Sequence, residues 1–442
     1  MGDRHCTKEA LLFSRLSWQS LVLKGETKHF NVRRSTLCGE FNQRVLMALH
    51  SSAPYDCAGY WHRTSSLLSS LKSQGLLVSC ATRPGYPWDL QKHRDLERVH
   101  VDLIENVEFH RLCSKSSPYK RGSDLDFIDD YAMQLANLAK SKGVSVIHGH
   151  SNYLNGLAAI QAAKKGGIYS VYEARGFWHI TQQAKTPGYE NTELFEYESK
   201  MELYALNGAD SVVTLSNAMK TLMVNWGVEE NKIHVMPNAV DTEKFTPINP
   251  NVAIRNQWGK DSFIVGFIGS LTTYEGLADL IKATSALVTQ GHNIHLVIAG
   301  TGPIEAELKK QASGLKFVHI VGRIPHEEVI QWYSCFDLCV YPRTDDVVCR
   351  YVPPMKVLEA MAMEIPVIVS DLAPLREMIE HGVTGLVCQP SNVESLSSTI
   401  ELAIRDLDQL KRLGSNGRQW VIENRTWKVN AKRYKSLYES FK

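Results

Sequence analysis

The stretch Tyr341–Ser370, YPRTDDVVCRYVPPMKVLEAMAMEIPVIVS, decides the fold. Its two ends are apolar runs of strand character, a polar loop follows the first, and a short amphipathic segment follows Pro353 and Pro354. Proline suits the first turn of a helix, where the amide it lacks would have no partner, so a helix opening near Pro354 is predicted. Its free amides at Met355, Lys356 and Val357, beside the Lys356 ammonium, face the crevice where parallel strands end and make a seat for a diphosphate. Glu359, one turn beyond Met355, can accept hydrogen bonds from two vicinal hydroxyls, as on a ribose. For any one of these residues a solvated surface helix is the alternative. The enclosing apolar run and Pro366 favour the combination, which reads as a nucleotide site.

Outward from this stretch the chain alternates buried strands with amphipathic helices. Strands are predicted at 45–50, 76–81, 103–112, 144–148, 168–172, 211–215 and 232–236, with helices over 60–73, 127–141, 155–165 and 190–206. A polar, turn-rich passage, MPNAVDTEKFTP at 236–247, interrupts the rhythm. It restarts with FIVGFIG (263–269), LVIAG (296–300), FVHIVG (317–322), LCVYP (338–342) and PVIVS (366–370). The fold class is therefore α/β, with two Rossmann-like doubly wound domains facing across a cleft. The expected organisation is an N-terminal extension over 1–40, a first domain over 41–245, a nucleotide-binding domain over 246–420 and a terminal helix over 421–442. Residues 1–40 carry only a weak helical pattern, Ala10, Leu11, Leu12, Leu16, Leu21 and Leu23, compatible with an extra packed helix, a partner contact or partial disorder.

Composition narrows the function classes. A length of 442 residues with 22% charged and 44% hydrophobic content describes a globular, two-domain chain. A formal net charge of +2 without a dense basic run argues against nucleic acid as partner, while leaving room for a local basic face toward anionic lipid. No apolar run has the length of a membrane span and the first residues lack a secretory core, so a cytoplasmic protein is expected. The 9 cysteines fit a reducing compartment, and the spacing of Cys335 and Cys339 suits zinc poorly.

The strand ends carry the polar constellations. In SSAPYDCAGYWHRT, Gly59 precedes a helix and permits close approach of a ligand, with Tyr60 and Arg63 around it, although a simple tight turn reads equally well. TRPGYPWD adds Arg83 among aromatics, which suits a sugar or rigid loop packing. In IHGHSNYLNG, His148 and His150 are expected on opposite faces of a strand, one toward the cleft and one, His148, as a core imidazole. Glu173 and Arg175 follow another strand and either reach the cleft or pair with each other. In FVHIVGRIPHEEV a Gly-Arg turn is expected to offer backbone to a base with Arg323 packed against it, or else is an ordinary strand-to-helix turn before Glu327. Asp124 and Asp126 open a helix, where acidic side chains favour the dipole, and no metal is assigned to them.

The segment ending in Glu359-Ala-Met-Ala resembles the donor-site signature of retaining family 4 glycosyltransferases, in which an earlier Glu stands eight positions before this one; here that position is Tyr351. GFIGSLTTYEGL resembles the same family's diphosphate loop, but Ser270 and Glu275 replace an Arg after Gly269 and a Lys before the second glycine. Arg343, Arg350 and Lys356 are the expected compensation, as in a subgroup linked to capsule and exopolysaccharide synthesis. The resemblance implies the GT-B fold, His150 close to donor sugar and acceptor, Arg175 on the acceptor side, and a terminal helix bracing the first domain. It further implies transfer with retention from a nucleoside-diphosphate sugar, a UDP-sugar above others, without a metal or other cofactor. The acceptor would be a glycan or lipid-linked saccharide, met at the inner face of a membrane or beside polysaccharide-assembly proteins. A nucleotide-sugar epimerase and a non-catalytic sugar-nucleotide sensor are the competing readings.

Overall fold

The computed structural model describes residues 16–26, 29–30, 40–56, 59–113, 123–259 and 261–441. Ala10, Leu11 and Leu12 of the N-terminal pattern lie outside them. Contacts divide the described chain into two units, the first running to Leu215 and taking up Met219–Pro237 and the residues from Asn430, the second comprising Ser216–Ala218 and Asn238–Val429.

The first unit is built on eight strands, β1 (Arg44–Leu49), β2 (Leu77–Thr82), β3 (Val101–Ile104), β4 (Val107–Arg111), β5 (Val146–His150), β6 (Tyr169–Ala174), β7 (Ser211–Thr214) and β8 (Ile233–Val235). Their order is β3-β4-β2-β1-β5-β6-β7-β8, parallel except for β3. The chain winds outward from β1 in one direction and from β5 in the other, so the crevice between their carboxyl ends is the point where a doubly wound sheet takes a ligand. The predicted single strand over 103–112 is instead the hairpin β3–β4, because Glu105 and Asn106 adopt φ of 51° and 60° and reverse the chain. The helix Tyr153–Gly166 is buried along most of its length, and its small residues allow this: a Cβ on Gly156 would stand 2.6 Å from the Tyr172 ring. The helix Asp124–Lys142 starts on a Ser123/Asp126 capping box, and Asp124 and Asp126 stand in its first turn, where acidic residues suit the dipole. Helical residues 16–24 pack on the helix Glu193–Gly208, with Trp18 and Val22 buried and Trp18 Nε1 donating to Tyr197 Oη at 3.2 Å.

The second unit holds β9 (Phe263–Ile268), β10 (Ile294–Ala299), β11 (Val318–Gly322), β12 (Leu338–Tyr341), β13 (Val367–Ser370) and β14 (Leu386–Cys388), all parallel in the order β11-β10-β9-β12-β13-β14. The winding direction reverses between β9 and β12, and the loops leaving those two strands carry Gly269 to Gly276 and Arg343 to Met355. The helix in the deciding stretch spans Lys356–Ala362, not from Pro354 as predicted, with Met355 in the capping position. Pro354 disfavours a helical Pro353, whose carbonyl instead accepts from Asn238 Nδ2 at 2.8 Å. Among the described residues no helix is long and apolar enough to cross a membrane.

Candidate active site

In the second unit the carboxyl ends of β9 and β12 bring three charged side chains together. Glu275, 4% exposed, closes the turn Thr273–Glu275. Its Oε2 lies 2.8 Å from Lys356 Nζ and its Oε1 3.4 Å from Arg343 Nη2. Lys356 Nζ also stands 4.3 Å from the centre of the Phe267 ring, and the Arg343 guanidinium 5.6 Å from that of Tyr274. Burial opposes charge on Glu275, but Lys356 and Arg343 outweigh it and hold the carboxyl below its ordinary range. Burial pushes the Lys356 ammonium down, against the pull of Glu275. The cluster carries two cations and one anion. Among the described residues Arg343 Nε is buried without an acceptor, and Lys356 Nζ makes an ion pair but no well-directed hydrogen bond. N–H groups of this kind are costly to leave unmatched, and an anionic ligand would match them.

The surrounding backbone is glycine-lined because chains approach one another closely there. A Cβ on Gly300 (φ 142°) would fall 1.8 Å from the Gly269 carbonyl oxygen, and one on Gly302 2.2 Å from that of Leu271. These two glycines were not singled out in the sequence; the signal was AGTGP directly after the apolar run of β10. Glu359 lies one turn into the Lys356–Ala362 helix, half-buried, and accepts from Tyr333 Oη at 3.3 Å. Tyr341 Oη donates to the Lys356 carbonyl at 3.0 Å and fixes the start of that helix. Burial raises the Glu359 carboxyl above its usual range. Met355 is half-buried at the helix cap, whereas the Val357 side chain belongs to the core and offers only its backbone. Ser270 is exposed on the loop after β9 and Tyr351 is half-buried in a turn.

Two donor-side expectations change. Arg350 is exposed and clamps Asp345 through Nε (2.7 Å) and Nη2 (3.0 Å), so it is not part of the cation pair; the acidic residue five positions earlier is within its reach. Arg323 is exposed after β11, the edge strand, two strands from the β9–β12 crevice.

In the first unit a buried ionic cluster sits at the carboxyl end of β5 and β6. Glu173, fully buried, takes Arg63 Nε at 3.2 Å and Arg175 Nε at 2.6 Å on Oε1, and Tyr434 Oη at 2.5 Å on Oε2. Burial would raise this carboxyl, yet the two guanidiniums hold it well below the usual range. Arg63 also donates to the Met236 and Pro237 carbonyls, and Arg175 to Thr64 Oγ1 while lying over the Tyr60 ring at 4.7 Å. Arg63 and Arg175 are thus bound into the core, because a buried guanidinium needs its carboxylate, and Tyr60 is half-buried beneath Arg175. Arg83 is likewise closed onto Asp89 within its own loop and stacks on Tyr86 at 5.1 Å. Gly59 is exposed as the first helical residue, with open space where a Cβ would be.

His148 and His150 lie on the same face of β5, ring centres 4.8 Å apart, contrary to the prediction of opposite faces; residues two apart in a strand share a side. His148 Nδ1 and Tyr438 Oη are 2.7 Å apart, and its Nε2 is 3.3 Å from Glu173 Oε2, which makes it the core imidazole expected. His150 is buried with both ring nitrogens unpartnered, and burial keeps it neutral well below its ordinary pKa. His148, His150 and Glu173 lie close enough to hold a metal ion. Arg63 and Arg175 already occupy the carboxylate, and two fixed positive charges beside the donors disfavour a cation there.

Two α/β units, each with polar groups gathered at the carboxyl ends of its parallel strands, have the architecture of the GT-B type. Two family models match: Glycosyltransferase Family 4 over residues 63–244 and Glycosyl transferases group 1 over residues 251–420. The chain belongs to the family 4 glycosyltransferases. It is 24% identical to the capsular polysaccharide biosynthesis glycosyltransferase CapM of Staphylococcus aureus over 54% of this chain and 64% of that one, so it spans somewhat under two thirds of that relative. It is 25% identical to glycogen synthase of Mycobacterium tuberculosis over 89% and 94%. In fold it is similar to sucrose-phosphate synthase from Thermosynechococcus elongatus (TM-score 0.71, 20% identity, 90% and 98% covered). It is also similar to Anabaena HepE in complex with UDP (TM-score 0.69, 16% identity, 90% and 100% covered).

Proposed function

We propose that the protein is a retaining glycosyltransferase that moves a sugar from a nucleoside diphosphate, UDP in the first instance, to a hydroxyl of a glycan or lipid-linked saccharide. The observation that carries this reading is the pairing of Lys356 and Arg343 through Glu275 at the β9–β12 winding reversal, with N–H groups left for an anion. Glu359 would receive the ribose hydroxyls. Fold similarity to HepE structures holding UDP and UDP-glucose supports a donor of this class, and similarity to CapM supports a role in capsule or exopolysaccharide synthesis. A lipid-linked acceptor would bring the protein to the inner face of a membrane or to polysaccharide-assembly proteins.

In the transfer the bond from the anomeric carbon to the diphosphate oxygen breaks, and the acceptor oxygen bonds to that carbon from the same side. The acceptor proton passes to the departing phosphate oxygen. Lys356 and Arg343 stabilise the charge that grows on the leaving diphosphate and do so without a metal. In the first unit His150, neutral and without a hydrogen-bond partner among the described residues, is the proposed catalytic histidine.

The test is proton NMR of the protein with UDP-glucose and related nucleotide sugars, with and without saccharide acceptors. Release of UDP with a product of unchanged anomeric configuration is expected. Epimerised donor, or binding with no turnover under any acceptor, would replace this reading with an epimerase or a sensor.

A further inference from the structure

We propose that Glu275 is a positioning residue that fixes the Lys356 ammonium and the Arg343 guanidinium side by side for the diphosphate, an inference that rests on the donor-site reading above. Its two oxygens serve one cation each, Oε2 at 2.8 Å from Lys356 and Oε1 at 3.4 Å from Arg343. The turn that carries it has little freedom to move. Gly276, at φ 71°, is pressed against β12 so closely that a Cβ would meet the Pro342 carbonyl oxygen at 1.9 Å, and Thr344 N donates to the Tyr274 carbonyl at 3.0 Å. Glu275 is thereby held beneath the two cations by backbone packing.

A purely structural ion pair would saturate its donors. Here Arg343 Nε and Lys356 Nζ keep unmatched hydrogens although both atoms are buried. The carboxylate therefore holds the cations from one side; Arg343 Nη1 is taken by the Val352 carbonyl at 2.8 Å, and Arg343 Nε and Lys356 Nζ are left to a ligand. It also governs the charge of Lys356. The influences acting on that ammonium are burial and Arg343, which disfavour its charged form, and Glu275 and Glu359, which favour it; the centre of the Phe267 ring lies 4.3 Å away and the Cys349 thiol feels its charge. Without Glu275, burial and Arg343 dominate, and Lys356 releases its proton at a lower pH.

The experiment is calorimetric titration of the full chain with UDP from pH 6.5 to 9.5, for the wild type, Glu275→Gln and the double variant Glu275→Gln/Lys356→Arg. Ionisation of UDP itself is common to all three and cancels in the ratios. Relative to wild type, Glu275→Gln should lose severalfold more affinity toward the alkaline end of this range, because its lysine loses its proton at a lower pH. Arginine stays charged, so the double variant should lose the additional pH dependence. Should Glu275→Gln not fold, Glu275→Asp keeps the charge, and weaker binding with a wild-type pH profile is expected. A Gln variant that tracks wild type at every pH, a double variant that retains the alkaline loss, or an Asp variant that shows it would overturn the positioning role. Absence of UDP binding by the wild type would overturn the donor reading itself and the proposal with it.

Discussion

Gly269 makes room for Lys356: a Cβ built on Gly269 would stand 2.7 Å from Lys356 Nζ and 3.2 Å from its Cδ and Cε. The ammonium lies across the end of β9 only because that position carries no side chain. The obstructed atoms belong to the far end of a flexible chain, so Gly269→Ala should fold normally with Lys356 displaced. UDP affinity should fall by roughly tenfold, the worth of a charge-assisted hydrogen bond, with the thermal midpoint nearly unchanged. Calorimetry and a melting curve on the same sample separate the two effects.

Glu359 accepts from Tyr333 and is raised by burial above the ordinary carboxyl range. As a ribose acceptor it must be ionised, so UDP affinity should weaken as pH falls through that raised pKa and recover above it. Glu359→Gln should cost about tenfold in affinity at pH 8 and abolish this pH dependence. An unchanged profile in the variant would assign the titration to another group.

The Glu173 cluster yields a stability prediction. Its folded pKa is well below the unfolded value, so its contribution is fully present above about pH 4.3 and is lost as pH falls through the folded pKa. Glu173→Gln leaves Arg63 and Arg175 buried without their counter-charge and should cost about 3–5 kcal/mol at pH 7. Urea denaturation at neutral and acid pH should show the gap between variant and wild type narrowing at the acid end.

How much of this was legible in the sequence differs from residue to residue. Strands buried on both faces read as continuous apolar runs, so β1, β5, β9, β12 and β13 stood out in VLMALH, VSVIH, FIVGFIG, LCVYP and PVIVS. The β3–β4 reversal was hidden because Glu105-Asn106 takes the place of the usual glycine-containing turn. The three residues of β14 were too few to form a pattern. At the site, residue types near strand ends were readable but partners were not. Glu275 looked like a lost cation, yet its carboxylate organises two cations contributed from elsewhere in the chain. Arg63 and Arg83 looked available, yet each meets a carboxylate that spacing alone does not place, whereas the pairing of Arg175 with Glu173 was one of the two readings open for it.

His150 and His148 should separate catalysis from folding. His148 bonds with Tyr438 and faces Glu173, so His148→Ala should lower the thermal midpoint. His150 makes no hydrogen bond among the described residues, and His150→Ala should reduce turnover by roughly a hundredfold while leaving UDP affinity near wild type. Steady-state rates with parallel calorimetry check both.

The most direct measurement of the central claim compares UDP with uridine on wild type and Lys356→Ala. If the Lys356 and Arg343 pair receives the diphosphate, the variant should lose roughly tenfold or more of its preference for UDP over uridine while uridine itself binds unchanged. An undiminished preference for UDP in Lys356→Ala would contradict the account.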